Sequence, residues 1–350
     1  MELKKTYEKD FDIGGDKILC AIMVNSNEWV MLLSNGQVLK WDIAEGQAKY
    51  LFSVQSDTGG FDLTASCAVY AMDSFAVVVN ERKTHGFVYN AKTNTLIPIS
   101  REDYHADVSP YPIALYRDDA GEAHMIYAVA WNHLQIMDLE AQIVLTANKT
   151  LIIDQEVDRK FYEKHPQIPV RMDWPRTLDY FYGPLSLSPD KTKFLSRGWA
   201  WGSTDDFRIF DLDHFISHPH VGAHYFWGAE HTNRPMCWIN DRTLATTYYP
   251  YRDENERGKS TRVHLYDAQN ASDPIRDFII SDSEEVYGEI FYNPEHKILV
   301  QFEDGYGTLV YDLDGRLVLR DKSFMPKNYY PDLNIFLSVL DNTIAMHQLI

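Results

Sequence analysis

The sequence predicts an all-β fold: a seven-bladed β-propeller closed by its own N-terminal strand. Three observations predict it. First, an apolar strand ending in an aromatic residue or Met, followed by Asp or Asn, returns along the whole chain. It stands at Trp41-Asp42, Tyr89-Asn90, Met137-Asp138, Phe210-Asp211, Tyr266-Asp267 and Tyr311-Asp312, with a degenerate seventh copy near His347. Successive copies are 48, 48, 73, 56 and 45 residues apart, a period that belongs to radial repeat architectures. Second, each interval divides into four strand-like runs separated by turn residues. Third, the last repeat lacks an outer strand while the N-terminus holds a spare one.

The elements follow in order. The first repeat reads as strands at 18–24, 28–33, 37–43 and 48–54. Its Ser34-Asn35-Gly36 turn before an alternating run is a strong hairpin signal. The second repeats this at 66–72, 75–81, 85–91 and 95–100, and the third at 111–117, 124–131, 133–139 and 143–147. The fourth opens at Gly183, turns at Ser188-Pro189-Asp190 and has its third strand at 207–212. The fifth runs from Pro235 through 243–249 and 261–267 to Ile280, and the sixth from Gly288 to Arg320. After Asn328 two strands follow, 333–340 and 343–350, and the segment 5–13 fits as the missing outer strand. Pairing both chain ends in one blade closes the ring and leaves only short sheet edges. The whole of 1–350 is then one domain, with an insertion at 148–182 between blades three and four.

Composition bounds the function. The chain is 45% hydrophobic and carries 22 Tyr, 17 Phe and 8 Trp, enough to fill wide interfaces between sheets. A net charge of −18 argues against nucleic acid and against anionic membranes, and favours a basic partner. Cys20, Cys67 and Cys237 have no metal-binding spacing and sit in apolar runs. They read as small buried thiols, which places the chain in the reducing cytoplasm. The first nine residues lack the apolar core of a signal peptide, and no run of 18 apolar residues is present. No cofactor is expected.

The Ser188-Pro189-Asp190 turn after an apolar strand and the Trp41-Asp42 strand end resemble WD40-type repeats. The Gly-His half of that signature is absent, so the resemblance is to the broad WD40-like superfamily. Residues 179–211, with Gly198-Trp199-Ala200-Trp201, and 227–244, with Pro235-Met236-Cys237-Trp238-Ile239-Asn240, also resemble a group of uncharacterised bacterial propeller proteins. That resemblance implies a bacterial origin and brings no catalytic residues.

Three segments break the repeat. The insertion at 148–182 holds six basic and six acidic residues. It opens with a predicted helix, capped by Asp154 with Ile153, Val157 and Phe161 on one face, which His165-Pro166 ends. The second is the connection at 248–260, and the third follows Trp199 and Trp201. In a four-stranded meander all three emerge at one end of the blades, over blades three to five. Aromatic and Arg enrichment marks binding hot spots. The expected partner-binding residues are Arg171, Asp173, Trp174, Arg176, Tyr180, Tyr182, Tyr249, Tyr251 and Arg252. The alternative for each aromatic is that it packs the loop onto the blades. Trp199 and Trp201 alternate on a strand and are expected in the core between blades.

Five histidines crowd into 214–231, and His218, His220 and His224 are the densest candidates for a metal. Their spacing matches no strong motif, and the segment reads as a polar loop before an outer strand. The leading expectation is a non-enzymatic scaffold for a protein or peptide. The alternative is a hydrolase or lactonase-type propeller with a metal or acid/base group at the central channel. Such an enzyme needs several His, Asp, Glu or Asn residues on the inner strands. Inner strands such as Cys67-Ala68-Val69-Tyr70 are mostly apolar instead.

Overall fold

The computed structural model spans the chain and describes residues 1–54, 60–146, 163, 180–201, 204–219, 223–227, 234–248, 262–270, 273–280 and 288–350. The predicted helix around 153–161 lies outside these residues. Among the described residues the strands form seven four-stranded antiparallel sheets. Each sheet is a meander, labelled a to d from the inside outwards. Blade one is Ile18–Asn25, Glu28–Leu33, Gln37–Asp42 and Gln47–Ser53. Blade two is Cys67–Met72, Phe75–Asn80, His85–Asn90 and Thr95–Ser100. The expected strands match these to within a residue or so. The irregular blades differ more. Strand d of blade three is only Ile143–Val144, and strand a of blade four only Leu185–Leu187.

The repeated dipeptide has two jobs, one for each residue. Its first side chain faces the core: Trp41, Tyr89, Met137, Phe210 and Tyr311 are buried. Its second caps the c–d turn by accepting backbone N–H groups that the ladder leaves open. Asp42 accepts from Glu45 at 2.9 Å, Asn90 from Lys92 at 2.9 Å, and Asp138 from Glu140 and Ala141 at 2.9 and 2.8 Å. Asp211 accepts from His214 at 2.9 Å, Asp267 from Gln269 at 3.0 Å, and Asp312 from Asp314 and Arg316 at 2.9 Å each. At Asp211 the cap starts a short helix, Leu212–Ser217, where the sequence reading placed a polar loop.

The seventh blade explains its own degenerate copy. Its strands are Asn328–Tyr330, Ile335–Leu340, Thr343–Leu349 and, from the other chain end, Leu3–Asp10. The N-terminal strand pairs antiparallel with Thr343–Leu349, from Leu3 opposite Leu349 to Asp10 opposite Thr343. Glu2 and Ile350 exchange backbone bonds at 2.8 and 3.0 Å. Strands c and d are here joined by pairing and not by a turn, so no turn needs a capping Asp. The short inner strand Asn328–Tyr330 is one that the sequence reading missed. Phe11, Trp29, Trp41, Ile335, Leu337 and Ile344 form a shared core between blades seven and one. Each such side chain contributes about 1.5–3 kcal/mol on burial.

All three cysteines are free thiols, Cys20 buried and Cys67 and Cys237 partly so. Burial raises all three, Cys67 to about 11, which keeps them as thiols. Among the described residues no helix is long and apolar enough to cross a membrane.

The meander fixes where everything else goes. The a–b and c–d turns emerge on one face of the ring, the b–c and d–a connections on the other.

Candidate interaction surface

Of the residues expected at a partner site, Arg171, Asp173, Trp174, Arg176, Tyr249, Tyr251 and Arg252 lie outside the described residues. Tyr180 and Tyr182 are described, and they do not reach the surface: both are fully buried. The Tyr180 hydroxyl donates to the Ser196 carbonyl at 3.1 Å and contacts its Oγ at 2.9 Å. The Arg208 guanidinium covers the Tyr180 ring at 4.2 Å and is itself held by Asp206. The Tyr182 N–H donates to the Trp131 carbonyl at 2.9 Å. Gly198 makes this approach possible, since a Cβ there would meet the Tyr180 ring at 2.2 Å. Burial pushes both phenols well above their ordinary value. These tyrosines anchor the end of the insertion to blades three and four.

Phe181, between them, enters a different group. It bridges Trp199 through two backbone bonds, 2.9 and 3.1 Å, and its ring stacks on Trp199 at 3.8 Å and 4°. Trp131 packs on Phe181 at 4.4 Å, and His105 meets it edge-on at 5.3 Å. Trp201 stands nearly perpendicular to Phe181 at 5.1 Å and to His105 at 5.4 Å. Tyr104 closes the group against His105 at 4.5 Å and Trp201 at 6.3 Å. Such offset and edge-on pairs add about 0.5–1.5 kcal/mol each beyond their buried area. The group draws on four connections of the d–a/b–c face, over blades two to four. Its floor is dry and its top is open: Phe181 is 1% exposed, Tyr104 48% and Trp201 50%. The expectation that Trp199 and Trp201 share the core therefore holds for Trp199 alone. Strand b of blade four, Lys193–Ala200, ends before Trp201, which turns outwards.

Arg101 holds this surface in place. It is buried, and its donors reach the carbonyls of Lys83 at 2.8 Å, Ala106 and Ser109 at 2.9 Å each, Pro110 at 3.3 Å and Glu81 at 3.4 Å. Burial lowers its pKa to about 10, so it stays charged at neutral pH. Its guanidinium lies over Tyr111 at 4.7 Å. The connection between blades two and three is thereby tied from both ends. Trp199 Nε1 adds a bond to Ser109 Oγ at 2.7 Å. His105 has φ 53°, a left-handed conformation that costs on the order of 1 kcal/mol outside glycine. Tyr104, His105, Trp131 and Phe181 were not among the expected site residues. The available signal was the unbroken Tyr104-His105 pair in a connection closed by Pro110 and Pro112.

The central channel is a second concavity. A cavity of about 560 Å³ lies against the inner strands of blades four to six, with Leu187, Cys237, Ile239 and Phe291 among its walls. Arg197 crosses from blade four to blade six and forms a bidentate pair with Glu289 at 2.8 and 2.9 Å. The carboxylate of Glu289 is thus engaged by a fixed cation. A groove of about 700 Å³ between blades one and two is lined by Lys40, Lys49 and Lys92 against Glu28, Asp42 and Asp73.

In the histidine-rich segment, His218 ends the short helix, its N–H donating to the His214 carbonyl at 2.7 Å. His224 begins strand d of blade four, opposite Ile209. His220 lies outside the described residues. Among the described residues no three His, Cys, Asp or Glu side chains converge as metal ligands.

No protein-family model matches this chain, and no curated protein matches it.

Proposed function

We propose that this propeller is a non-catalytic scaffold that binds a protein or peptide through the d–a/b–c face, with the aromatic group over blades two to four at its centre. The observation that carries this reading is the pair Tyr104 and Trp201, half exposed on a rigid aromatic base. Exposed aromatics set in a dry, packed surround are what dominate binding energy in protein interfaces. The Arg101 tether supports it, because a loop ordered in advance loses little entropy on binding. The proposal extends the surface over blades three to five to Arg171, Asp173, Trp174, Arg176, Tyr249, Tyr251 and Arg252, supported by the strands on either side of their connections, Ile143–Val144 with Leu185–Leu187 and Thr243–Tyr248 with Arg262–Asp267. The same reading takes the chain as a WD40-like propeller of the bacterial cytoplasm, which its three free thiols support.

The test is capture of partners from native extract with three baits: the intact chain, a Tyr104→Ala/Trp201→Ala variant, and an Ile143→Ser variant on the opposite face. Loss of the same partner only in the first variant supports the reading. Equal capture by all three removes it.

A further inference from the structure

We infer that the Tyr104–Trp201 surface receives a cationic side chain, Arg or Lys, from a basic peptide segment of the partner. This rests on the interaction reading above and names the chemistry it selects. Aromatic faces carry negative quadrupole potential and attract guanidinium or ammonium groups within about 6 Å. The loop that supplies Tyr104 also supplies Glu102, Asp103 and Asp107, all three exposed. Carboxylates beside an open aromatic surface add charge attraction to the ring contact.

Among the described residues, the cations in the neighbouring sequence are otherwise engaged. Arg101 is buried among carbonyls. Arg82 donates to the Val108 carbonyl at 2.7 Å, and Lys83 pairs with Asp62. Elsewhere the chain places its own cations on rings, as with Arg208 on Tyr180, Arg101 on Tyr111 and Arg234 on Phe207. Among the described residues none lies over Tyr104 or Trp201. Among the described residues, then, Tyr104 and Trp201 present open rings of the kind that take a cation elsewhere in the chain. The net charge of −18 draws a basic segment toward the protein as a whole. A neutral sugar could also stack on Trp201, but the three carboxylates would add nothing to that contact.

The test uses the full chain, with its 8 Trp residues, labelled with fluorotryptophan and read by fluorine resonance. The Trp201 signal is identified by its absence in Trp201→Phe. The probes are Gly-Ser peptides carrying three Arg, three Lys, three Glu or no charge, and a neutral hexasaccharide. The Arg peptide, and then the Lys peptide, is expected to shift the Trp201 signal saturably. Tyr104→Ala should weaken this about tenfold, equal to ~1.4 kcal/mol. Glu102→Gln with Asp103→Asn should weaken it about threefold and flatten its dependence on salt. A Glu or neutral peptide that shifts Trp201 as strongly overturns the inference, as does a response to the sugar alone or to no probe at all. If the cationic peptides fail while Tyr104→Ala/Trp201→Ala still loses its captured partner, the surface stands and its preference for cations falls. If both fail, the surface itself is wrong.

Discussion

On the face that carries the a–b and c–d turns, the c–d turns of blades one, two, three and six occupy 43–46, 91–94, 139–142 and 313–316, all four residues long. Each is capped by the Asp or Asn that ends strand c. On the opposite face, the connection from blade two to blade three runs over 101–112 and holds a histidine at positive φ. It is tied down by one buried guanidinium instead of a local cap. The comparison teaches how the repeat divides its work. Short capped turns keep the strands in register and leave no room for anything else. The d–a connections must cross from the rim of one blade to the centre of the next, and that span gives room for a surface.

The largest expected difference between the faces is at their holding residues. Arg101→Ala leaves several buried carbonyls without a donor and should cost about 3 kcal/mol in chemical denaturation. Hydrogen exchange should rise across 102–112 and stay unchanged in the c–d turns. Arg101→Lys should recover only part of this, because an ammonium cannot reach carbonyls in so many directions. Unchanged stability in Arg101→Ala would mean that the connection is held by something else.

On the turn face, Asp138→Ala should cost about 1 kcal/mol, the size of a lost cap. It should leave partner capture intact, since the turn lies at the far end of the blade. A loss of capture in this variant would erase the distinction between the faces. Trp201→Ala is the mirror case: a stability loss of about 1 kcal/mol, from the ring contacts to Phe181 and His105 that it gives up, well short of Arg101→Ala, with binding lost.

The smallest effect is one of pH. Burial lowers the pKa of His133, beside the loop face. The unfolded chain then binds the proton more readily, so stability falls as pH drops below about 6.5 and levels off below the folded value. On the turn face, the Arg242 guanidinium holds Asp267 below the usual carboxylate range. Its contribution persists above about 4 and is lost as pH falls through the depressed folded value. An acid titration of stability should therefore show a shallow loss first, absent in His133→Gln, and a second loss at lower pH, reduced in Asp267→Asn.

The ring was legible because Trp41-Asp42 and its relatives satisfy two constraints side by side, a buried ring and a capped turn, and both recur with the blade. The closing strand was legible for the same reason: Leu3–Asp10 had no other sheet to join. Asn328–Tyr330 escaped notice because three residues give no period, and the 3-10 turn Pro331–Leu333 after it reads as a break. The surface was legible only as a face. Tyr180 and Tyr182 read as exposed loop aromatics, yet both are buried, and the room for Tyr180 depends on Gly198 lacking a Cβ, a long-range fact. Tyr104 and His105 were missed because Arg101 looks like a solvated charge at a strand end. Nothing in its neighbours says that it turns inward onto the backbone of its own connection.

The most direct test of a working loop face is a photo-crosslinking residue placed in turn at Trp201 and at Ile143, which are comparably exposed at 50% and 58% on opposite faces. In native extract, position 201 is expected to yield a discrete adduct that Tyr104→Ala removes, and position 143 none. A discrete adduct at 143 with none at 201 would contradict the assignment of function to the loop face.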